Sequence, residues 1–366
     1  MTKRILTIDG GGIRGVFSAA IIEQMEIANG GKPACELFDC FVGTSAGSLL
    51  AAGLAKGISA GELKQHFIAL GEGLSISMNA AAKDDGAGDK GAAGPRKRRE
   101  ASSAMLEDVL KKLLGENTRP ADLKKRFAVV TKNMDLNKVV FFGNFPKDQV
   151  EQPSFWSGQV DESSEPVWKI VLRSAALPPL FAPQGDYLDG GISPFANPTY
   201  AAYVGVQRRL GWNPYREPLK FYSVGTGYHE GGAGSNIGEL DDERLYASMV
   251  SAMMQDVNFL QHQIMKRQAA EGDIWYKRYN ISFTREGFEK LGIEKIPSKE
   301  EFAQLASTAS PRVKELAEYG SYVGKKMLAE GNDFLAGAPL QDRRSNVYKI
   351  PDEQRFLNIA PVSAVP

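Results

Sequence analysis

The chain has 366 residues, of which 43% are hydrophobic and 24% are charged. It is therefore long enough to bury a sizeable core, and its composition is ordinary for a globular protein. Lys and Arg together number 44, as do Asp and Glu, so the formal net charge is zero. Because a nucleic-acid polymer is bound by a broad basic surface, this balance argues against such a partner.

The cysteines and the apolar stretches exclude several further classes. Cys35 and Cys40 are the two cysteines of the chain, too few for a structural zinc site or a disulfide framework. We expect them to be reduced, in a cytoplasmic protein. No stretch reaches the ~20 apolar residues of a membrane-spanning helix. Any contact with a membrane is therefore expected to be peripheral.

Strands and helices alternate along the first part of the chain. Apolar spacing predicts a strand over residues 4–8, a helix over 16–28 and a strand over 40–42. A further helix follows the second strand, and a capping box that begins at Ser59 opens another one, through about residue 70. This alternation of strand and helix is typical of a parallel sheet.

Residues 79–100 break that pattern. The segment has no large apolar side chain, is rich in Gly and Ala, and carries mixed charge. Such a composition buries too little surface to order itself, so it predicts a mobile insertion of roughly 20 residues. The insertion is either a solvated loop or a lid that contacts a membrane through the basic run at 96–99.

The alternation resumes after the insertion. We predict helices over 102–114, 166–175, 199–210, 242–271 and 311–330, and strands over 126–132, 138–142, 219–224 and 275–283. Residues 185–192 are expected to form a short strand that leads into a tight glycine turn. The row of methionines in the helix over 242–271 is expected to belong to the core. Together these elements predict an α/β fold, a three-layer α/β/α arrangement around a mostly parallel sheet. We expect one domain over residues 1–340 and an irregular C-terminal tail over 341–366.

A nucleophile motif stands at the end of the second strand. Gly43-Thr44-Ser45-Ala46-Gly47 has the G-x-S-x-G spacing, with an apolar strand before it and an Ala/Leu-rich run after it. The serine of this motif occupies a sharp strand-to-helix turn, and the glycines let strand and helix approach. The turn places the hydroxyl at a helix N-terminus, where developing negative charge is favoured.

The glycine-rich turn Gly10–Gly15 has two interpretations. Its spacing fits a dinucleotide-binding turn, which also requires an acidic residue at the end of the second strand. The candidate acids, Glu36 and Asp39, precede that strand and so stand at its wrong end. The alternative is an oxyanion hole, in which successive backbone N–H groups surround an anionic oxygen. We favour the oxyanion hole, since it lies at the same sheet edge as Ser45.

Two residues compete for the role of general base. The chain has three histidines, and two of them, His66 and His262, fall in predicted helices. His229 follows a strand and would complete a Ser45–Asp189–His229 triad in the chain order of α/β-hydrolases. Alternatively, Asp189, on a tight turn at a strand end, takes the serine proton directly.

The three motifs DGGGIRG, GTSAG and DGG, in this order and each at a strand end, resemble those of the patatin-like phospholipase family of bacterial type. The resemblance covers roughly residues 3–230. It implies hydrolysis of lipid acyl esters by a Ser–Asp dyad, with membrane phospholipid or another acyl lipid as the substrate. It also implies that no metal or organic cofactor is needed.

Individual residues acquire expected roles from this resemblance. Ser45 corresponds to the nucleophile and Asp189 to its base. The oxyanion hole corresponds to Gly10, Gly11, Gly12 and Ile13, with Gly10 allowing the turn. Arg14 either anchors the turn through a salt bridge or contacts a lipid phosphate. The remaining motif glycines are Gly15, Gly43, Gly47, Gly190 and Gly191.

A regulated enzyme is the competing hypothesis. Similar patatin-like enzymes of about this length include toxins switched on by a host protein and antiphage effectors switched on by a cyclic nucleotide. The part of the chain after residue 230 lies outside the three motifs and either binds such an activator or simply packs on the domain. The resemblance therefore leaves open a cyclic nucleotide or a protein as an activating partner.

Overall fold

The structure is a computed structural model that describes residues 1–84, 93–146, 164–178, 180–228, 238, 242–307 and 309–329. The predicted tail over 341–366 and the candidate base His229 lie outside these residues. The predicted division into one domain and a tail therefore stays a prediction.

Seven strands of the described chain form one sheet, in the order β4-β3-β2-β1-β6-β7 with β5 paired to β3. Five of them are parallel, whereas β4 and β5 each run antiparallel to β3. The predicted mostly parallel sheet is confirmed. The strands are β1 Lys3–Ile8, β2 Cys40–Thr44, β3 Arg126–Asn133, β4 Lys138–Gly143, β5 Tyr187–Asp189, β6 Leu219–Val224 and β7 Trp275–Tyr279.

Helices cover both faces of the sheet, as the apolar clusters on its two sides show. One cluster joins the sheet to α1, α3, α4, α5, α6 and α9 to α11, and the other joins it to α7 and α8. The three-layer α/β/α architecture is therefore confirmed. The helices are α1 Gly15–Ala28, α2 Ala34–Leu37, α3 Ala46–Lys56, α4 Ala60–Asp84, α5 Ala93–Leu114, α6 Val167–Ser174, α7 Thr199–Leu210, α8 Asp242–Ala270, α9 Arg285–Lys290, α10 Lys299–Ala306 and α11 Val313–Ala329.

The short strand β5 has a particular place in the sheet. It pairs with β3 beyond the point where β2 ends, since Val130 of β3 lies opposite Thr44 while the next residue, Thr131, lies opposite Asp189. Because β2 runs parallel to β3 and β5 runs antiparallel to it, the C-terminal ends of β2 and β5 meet head to head. The residue after β2 is Ser45, and the last residue of β5 is Asp189.

Helices α4, α5 and α8 differ from the sequence-based expectations in extent or in exposure. Helices α4 and α5 extend into the segment predicted to be an insertion, and residues 85–92 between them lie outside the described chain. The predicted mobility of that segment stays a prediction. The methionine row on α8 was expected in the core, and this is wrong for two of its members, because Met249 and Met253 are 56% and 63% exposed.

Candidate active site

Ser45 occupies a strained turn between β2 and α3. Its backbone has φ 55° and ψ −124°, a positive φ that a residue with a side chain rarely adopts. The flanking glycines make this turn possible, since a Cβ on Gly43 would lie 2.1 Å from the Gly47 carbonyl oxygen. A Cβ on Gly47 would in turn lie 2.2 Å from the carbonyl oxygen of Ile8 in β1. Both motif glycines are therefore required by backbone contacts.

The turn brings the Ser45 hydroxyl directly onto a carboxylate. Ser45 Oγ donates a hydrogen bond of 2.6 Å to Asp189 Oδ2, and both residues are buried. The other carboxylate oxygen, Oδ1, accepts a hydrogen bond of 2.6 Å from the backbone N–H of Gly191. The glycine after Asp189 is also sterically required, because a Cβ on Gly190 would lie 2.2 Å from the Val130 carbonyl oxygen. The structure thus brings together the serine and the aspartate of the two predicted motifs.

Burial sets the protonation of Asp189. Removal of its carboxylate from water raises the pKa of Asp189 to about 7, although the hydrogen bonds from Ser45 and Gly191 lower it in part. A carboxyl group with this pKa takes up and releases a proton near neutral pH. That is the range in which a general base is most effective.

The first glycine turn lies beside this pair. A Cβ on Gly10 would be 3.2 Å from the Ser45 Cβ, so the two turns are in contact. Within the described chain, no acceptor takes a hydrogen bond from the N–H of Gly11, Gly12 or Ile13. The N–H of Gly10 differs, since it donates to the Ala196 carbonyl at 2.9 Å. Three backbone N–H groups, those of Gly11, Gly12 and Ile13, therefore remain to bind an oxyanion. Gly10 instead allows the two turns to lie close together.

Arg14 holds the same glycine turn through hydrogen bonds to two backbone carbonyl groups. Its Nε donates to the Gly11 carbonyl at 3.2 Å, and its Nη1 donates to the Gly227 carbonyl at 3.0 Å. Burial lowers the pKa of Arg14 to about 10, and the Asp9 carboxylate opposes this effect. Of the two roles expected for Arg14, these contacts favour the anchor, made through two carbonyl groups. Gly15, the next residue, packs under Phe67, whose ring would lie 2.6 Å from a Cβ there.

Two residues that support the site, Ser174 and Arg278, lie outside the sequence motifs and were not predicted. Ser174, at the end of α6, accepts a hydrogen bond of 2.9 Å from the Ser45 N–H and donates one of 2.6 Å to the Val130 carbonyl. Arg278, in β7, pairs with the Asp9 carboxylate and donates 2.7 Å to Ser223 Oγ. A serine in an amphipathic helix and an arginine in a strand have ordinary sequence surroundings, so no pattern singles them out.

Ser174→Ala should destabilise the protein by about 1–3 kcal/mol, because it leaves the Ser45 N–H and the Val130 carbonyl buried without a partner. Any ester hydrolysis that depends on Ser45 should also slow, since the Ser45 backbone loses this hydrogen bond. Denaturant unfolding and steady-state kinetics measure the two effects. The matched control is Ser103→Ala, which removes a hydrogen bond from the Ala182 N–H at 2.9 Å. That control should lower stability without slowing hydrolysis.

The other predicted candidates lie elsewhere. Asp39 accepts a hydrogen bond of 2.9 Å from the Arg4 N–H, at the opposite end of β2 from Ser45. His262, on α8, makes a 2.7 Å hydrogen bond with the Tyr276 hydroxyl. Over the described part of the chain, no group of three His, Cys, Asp or Glu side chains is placed to hold a metal ion. None of its helices combines the length and the apolar character needed to cross a bilayer.

Several known proteins are similar to this chain in sequence. Residues 6–203 match the family model described as patatin-like phospholipase. The chain is 27% identical over 239 residues to an 85/88 kDa calcium-independent phospholipase A2 of Rattus norvegicus, which covers 61% of this chain and 27% of the relative. It is 30% identical over 204 residues to a cGAMP-activated phospholipase of Pseudomonas aeruginosa, which covers 52% of this chain and 53% of the relative.

The matched region spans between about a quarter and about half of the length of these curated relatives. Among solved structures, VipD from Legionella pneumophila covers 87% of this chain and 67% of its own, at 12% identity and a TM-score of 0.36. The family model covers more than half of the chain, and the three motifs within it form one site. The chain belongs to the patatin-like phospholipase family.

Proposed function

We propose that this protein is a serine hydrolase that cleaves fatty-acyl esters of lipids through the Ser45–Asp189 dyad. One observation carries the proposal: the 2.6 Å hydrogen bond from the Ser45 hydroxyl to the Asp189 carboxylate, beside three backbone N–H groups without an acceptor in the described chain. Nucleophile, base and oxyanion donors are the three parts that acyl transfer needs. Membership in the family supports lipid esters as the substrate class.

The proposed reaction has two halves. Ser45 Oγ attacks the ester carbonyl carbon while its proton passes to Asp189 Oδ2. The tetrahedral oxyanion accepts hydrogen bonds from the N–H groups of Gly11, Gly12 and Ile13. The intermediate then collapses to an acyl-serine, and the leaving alcohol takes the proton back. In the second half a water molecule gives a proton to Asp189 and attacks the acyl carbon. The bond from this carbon to Ser45 Oγ then breaks, Ser45 Oγ takes the proton back from Asp189, and the fatty acid is released.

A dyad fits this geometry better than a triad. In a Ser–His–Asp triad an imidazole lies between the hydroxyl and the carboxylate. Here the hydroxyl and the carboxylate are in direct contact, which leaves no room for a ring between them. His229, the candidate third member, lies outside the described residues.

The direct experiment is incubation of the protein with a panel of phospholipids and identification of the released fatty acids by mass. Wild-type protein should release fatty acid, and a fluorophosphonate probe should label the peptide that contains Ser45. Labelling of a different residue, or release that persists in Ser45→Ala, would contradict the proposal.

The rate should depend on pH through Asp189. Since the base acts in its ionised form and the pKa of Asp189 is raised to about 7, kcat/KM should rise with pH below 7 and level off above it. A soluble short-chain chromogenic ester, assayed between pH 5 and 9 over the range in which the fold is stable, measures this profile. A profile that is flat across pH 7 would show that Asp189 is not the base with this pKa.

A regulated version of the same chemistry is the second candidate. It is supported by the relative named a cGAMP-activated phospholipase, at 30% identity. It predicts little basal hydrolysis of a soluble ester and a strong increase when an activator is present. Comparison of the initial rate with and without added cGAMP tests it for this ligand. A high basal rate that cGAMP leaves unchanged would favour an unregulated enzyme.

A further inference from the structure

Helix α8 is too long for the sheet on which it packs. Its 29 residues make it about 40 Å long, whereas strands of five or six residues span about 20 Å. Its C-terminal half is anchored, since Met265 is buried and Gln261 donates 2.8 Å to the Pro194 carbonyl. The N-terminal half therefore extends beyond the sheet. Because α8 begins after β6 and ends before β7, it extends past the C-terminal edge, where Ser45 lies.

The contact of α8 with the site is direct. Met254 packs on the turn after Asp189, so that a Cβ on Gly191 would lie 2.7 Å from the Met254 Cε. Residues of α8 before Met254 consequently project outward from the rim of the dyad.

Helix α8 exposes an apolar stripe that begins in its projecting part and continues toward its anchored half. Tyr246, Met249, Met253 and Leu260 are 56–63% exposed, and their spacing of three, four and seven residues puts them on one side of the helix. Apart from Asp256, no Asp, Glu, Lys or Arg occurs between residues 245 and 265. We call these four residues the α8 stripe. Arg267 lies seven residues after Leu260, on the same side of the helix. It is an exposed base that pairs with Glu271.

A second apolar projection stands at the same edge. The turn between β3 and β4 exposes Met134 and Leu136 by 50% and 52%, and it follows the C-terminal end of β3. Lys132 and Lys138 lie on either side of this turn, and Lys132 Nζ donates a hydrogen bond of 2.6 Å to Asn137 Oδ1. Apolar side chains flanked by bases suit a phospholipid surface, in which acyl chains lie beneath anionic phosphates.

We propose that the protein docks on lipid membranes with the sheet edge that carries the dyad, through the α8 stripe and the β3–β4 turn. This inference deepens the proposed function and rests on it for the identity of the partner. Two separate elements projecting at one edge of the sheet suit an extended lipid surface. Docking there would bring the ester bonds of the bilayer to the rim of the Ser45 site.

Vesicle binding tests the docking surface without hydrolysis. The full chain with Ser45→Ala is sedimented with vesicles of phosphatidylcholine and phosphatidylglycerol. Adding Met249→Gln, Met253→Gln and Leu260→Gln should weaken partition at least about tenfold, since three exposed apolar groups leave the acyl region. The control Ile27→Gln, exposed by 58% at the far end of α1, should leave partition unchanged. Asp256→Asn should strengthen it.

A label gives a second readout that does not depend on the triple variant. Cys35 and Cys40 are buried, so a polarity-sensitive dye reacts selectively with an introduced cysteine. Dye at Met253→Cys should shift to shorter wavelength on the vesicles, and dye at Ile27→Cys should not. An unshifted label at residue 253, or a wild-type chain that binds no vesicles, would overturn the proposal.

The outcomes also separate docking from catalysis. If the protein cleaves a soluble ester but binds no vesicles, the docking proposal fails and the proposed function stands. If it binds vesicles through the α8 stripe but cleaves no ester, the proposed function fails. If the wild-type chain is a dimer that the triple variant converts to a monomer, and the label at 253 responds to dimer formation and not to lipid, a second copy covers the stripe and the docking proposal fails.

Discussion

Asp189→Asn should lower the rate of ester hydrolysis about a thousandfold, because the substitution removes a general base and keeps the shape of the side chain. Asparagine can still pair with the Ser45 hydroxyl and the Gly191 N–H, the two partners of the aspartate. The loss should therefore appear in kcat for a soluble short-chain ester, with KM little changed. His229→Ala, made in parallel, should retain activity. If His229→Ala is inactive and Asp189→Asn is active, the dyad is wrong and the triad is right.

Stability measurements separate this effect from unfolding. Because burial raises the pKa of Asp189 from 3.8 to about 7, its contribution to stability is present below pH 4 and is lost as the pH rises through 7. The shift corresponds to a loss on the order of 4 kcal/mol across that window. Asp189→Asn lacks this ionisation, so at pH 8 it should unfold at higher denaturant concentration than wild type. An inactive variant that is more stable cannot owe its inactivity to misfolding.

The motifs of the site could be predicted from the sequence because their glycines stand where a side chain has no room. Gly43 and Gly47 have no room for a Cβ, and that requirement produces the G-x-S-x-G pattern around Ser45. The same holds for the turn after Asp189, where Gly190 meets the Val130 carbonyl. Gly43 meets the Gly47 carbonyl within its own turn, whereas Gly47 and Gly190 meet carbonyls of other strands. In each case the requirement appears in the sequence as a glycine at a fixed distance from Ser45 or Asp189, so it can be recognised without knowledge of the fold.

The relations between distant segments could not be predicted in this way. Ser45 and Asp189 meet because β5 lies in line with β2 beside β3, and nothing in the three residues of β5 specifies its partner strand. The methionine row on α8 has helical spacing whether it faces the core or water. Its exposure follows from the length of α8 relative to the strands, which becomes visible when the sheet is assembled. Ser174 and Arg278 reach the site through the same long-range contacts.

The contact between Arg278 and Asp9 links the proposed active site to a strand beyond the region that matches the family model. That region ends at residue 203, whereas Arg278 lies in β7, at the far edge of the sheet. Arg278 Nη1 donates a hydrogen bond of 3.2 Å to Asp9 Oδ1, and Asp9 immediately precedes the glycines of the proposed oxyanion hole. Asp9 is buried, and the Arg278 side chain is 9% exposed. Burial alone would lower the pKa of Arg278, but the Asp9 carboxylate raises it above its ordinary value, so the arginine is charged.

Arg278→Met should destabilise the protein by about 3–5 kcal/mol, because it leaves the Asp9 carboxylate buried without its partner. Burial already raises the pKa of Asp9 in the presence of Arg278, so the variant should recover stability at acidic pH, where Asp9 is protonated. Denaturant unfolding at two pH values measures both effects. In protein that remains folded, kcat should fall more than KM changes, since the oxyanion turn loses its support.

The double variant Asp9→Asn/Arg278→Met decides whether the ion pair is the cause. The double variant removes the Asp9 carboxylate that Arg278→Met leaves buried without its partner, so most of the lost stability should return. The cycle of single and double variants gives the coupling energy between the two side chains. The control is Arg285→Met, which breaks an exposed pair with Glu289 and should cost little. A double variant as unstable as the sum of the two single variants would show that Arg278 acts through packing, and not through the charge of Asp9.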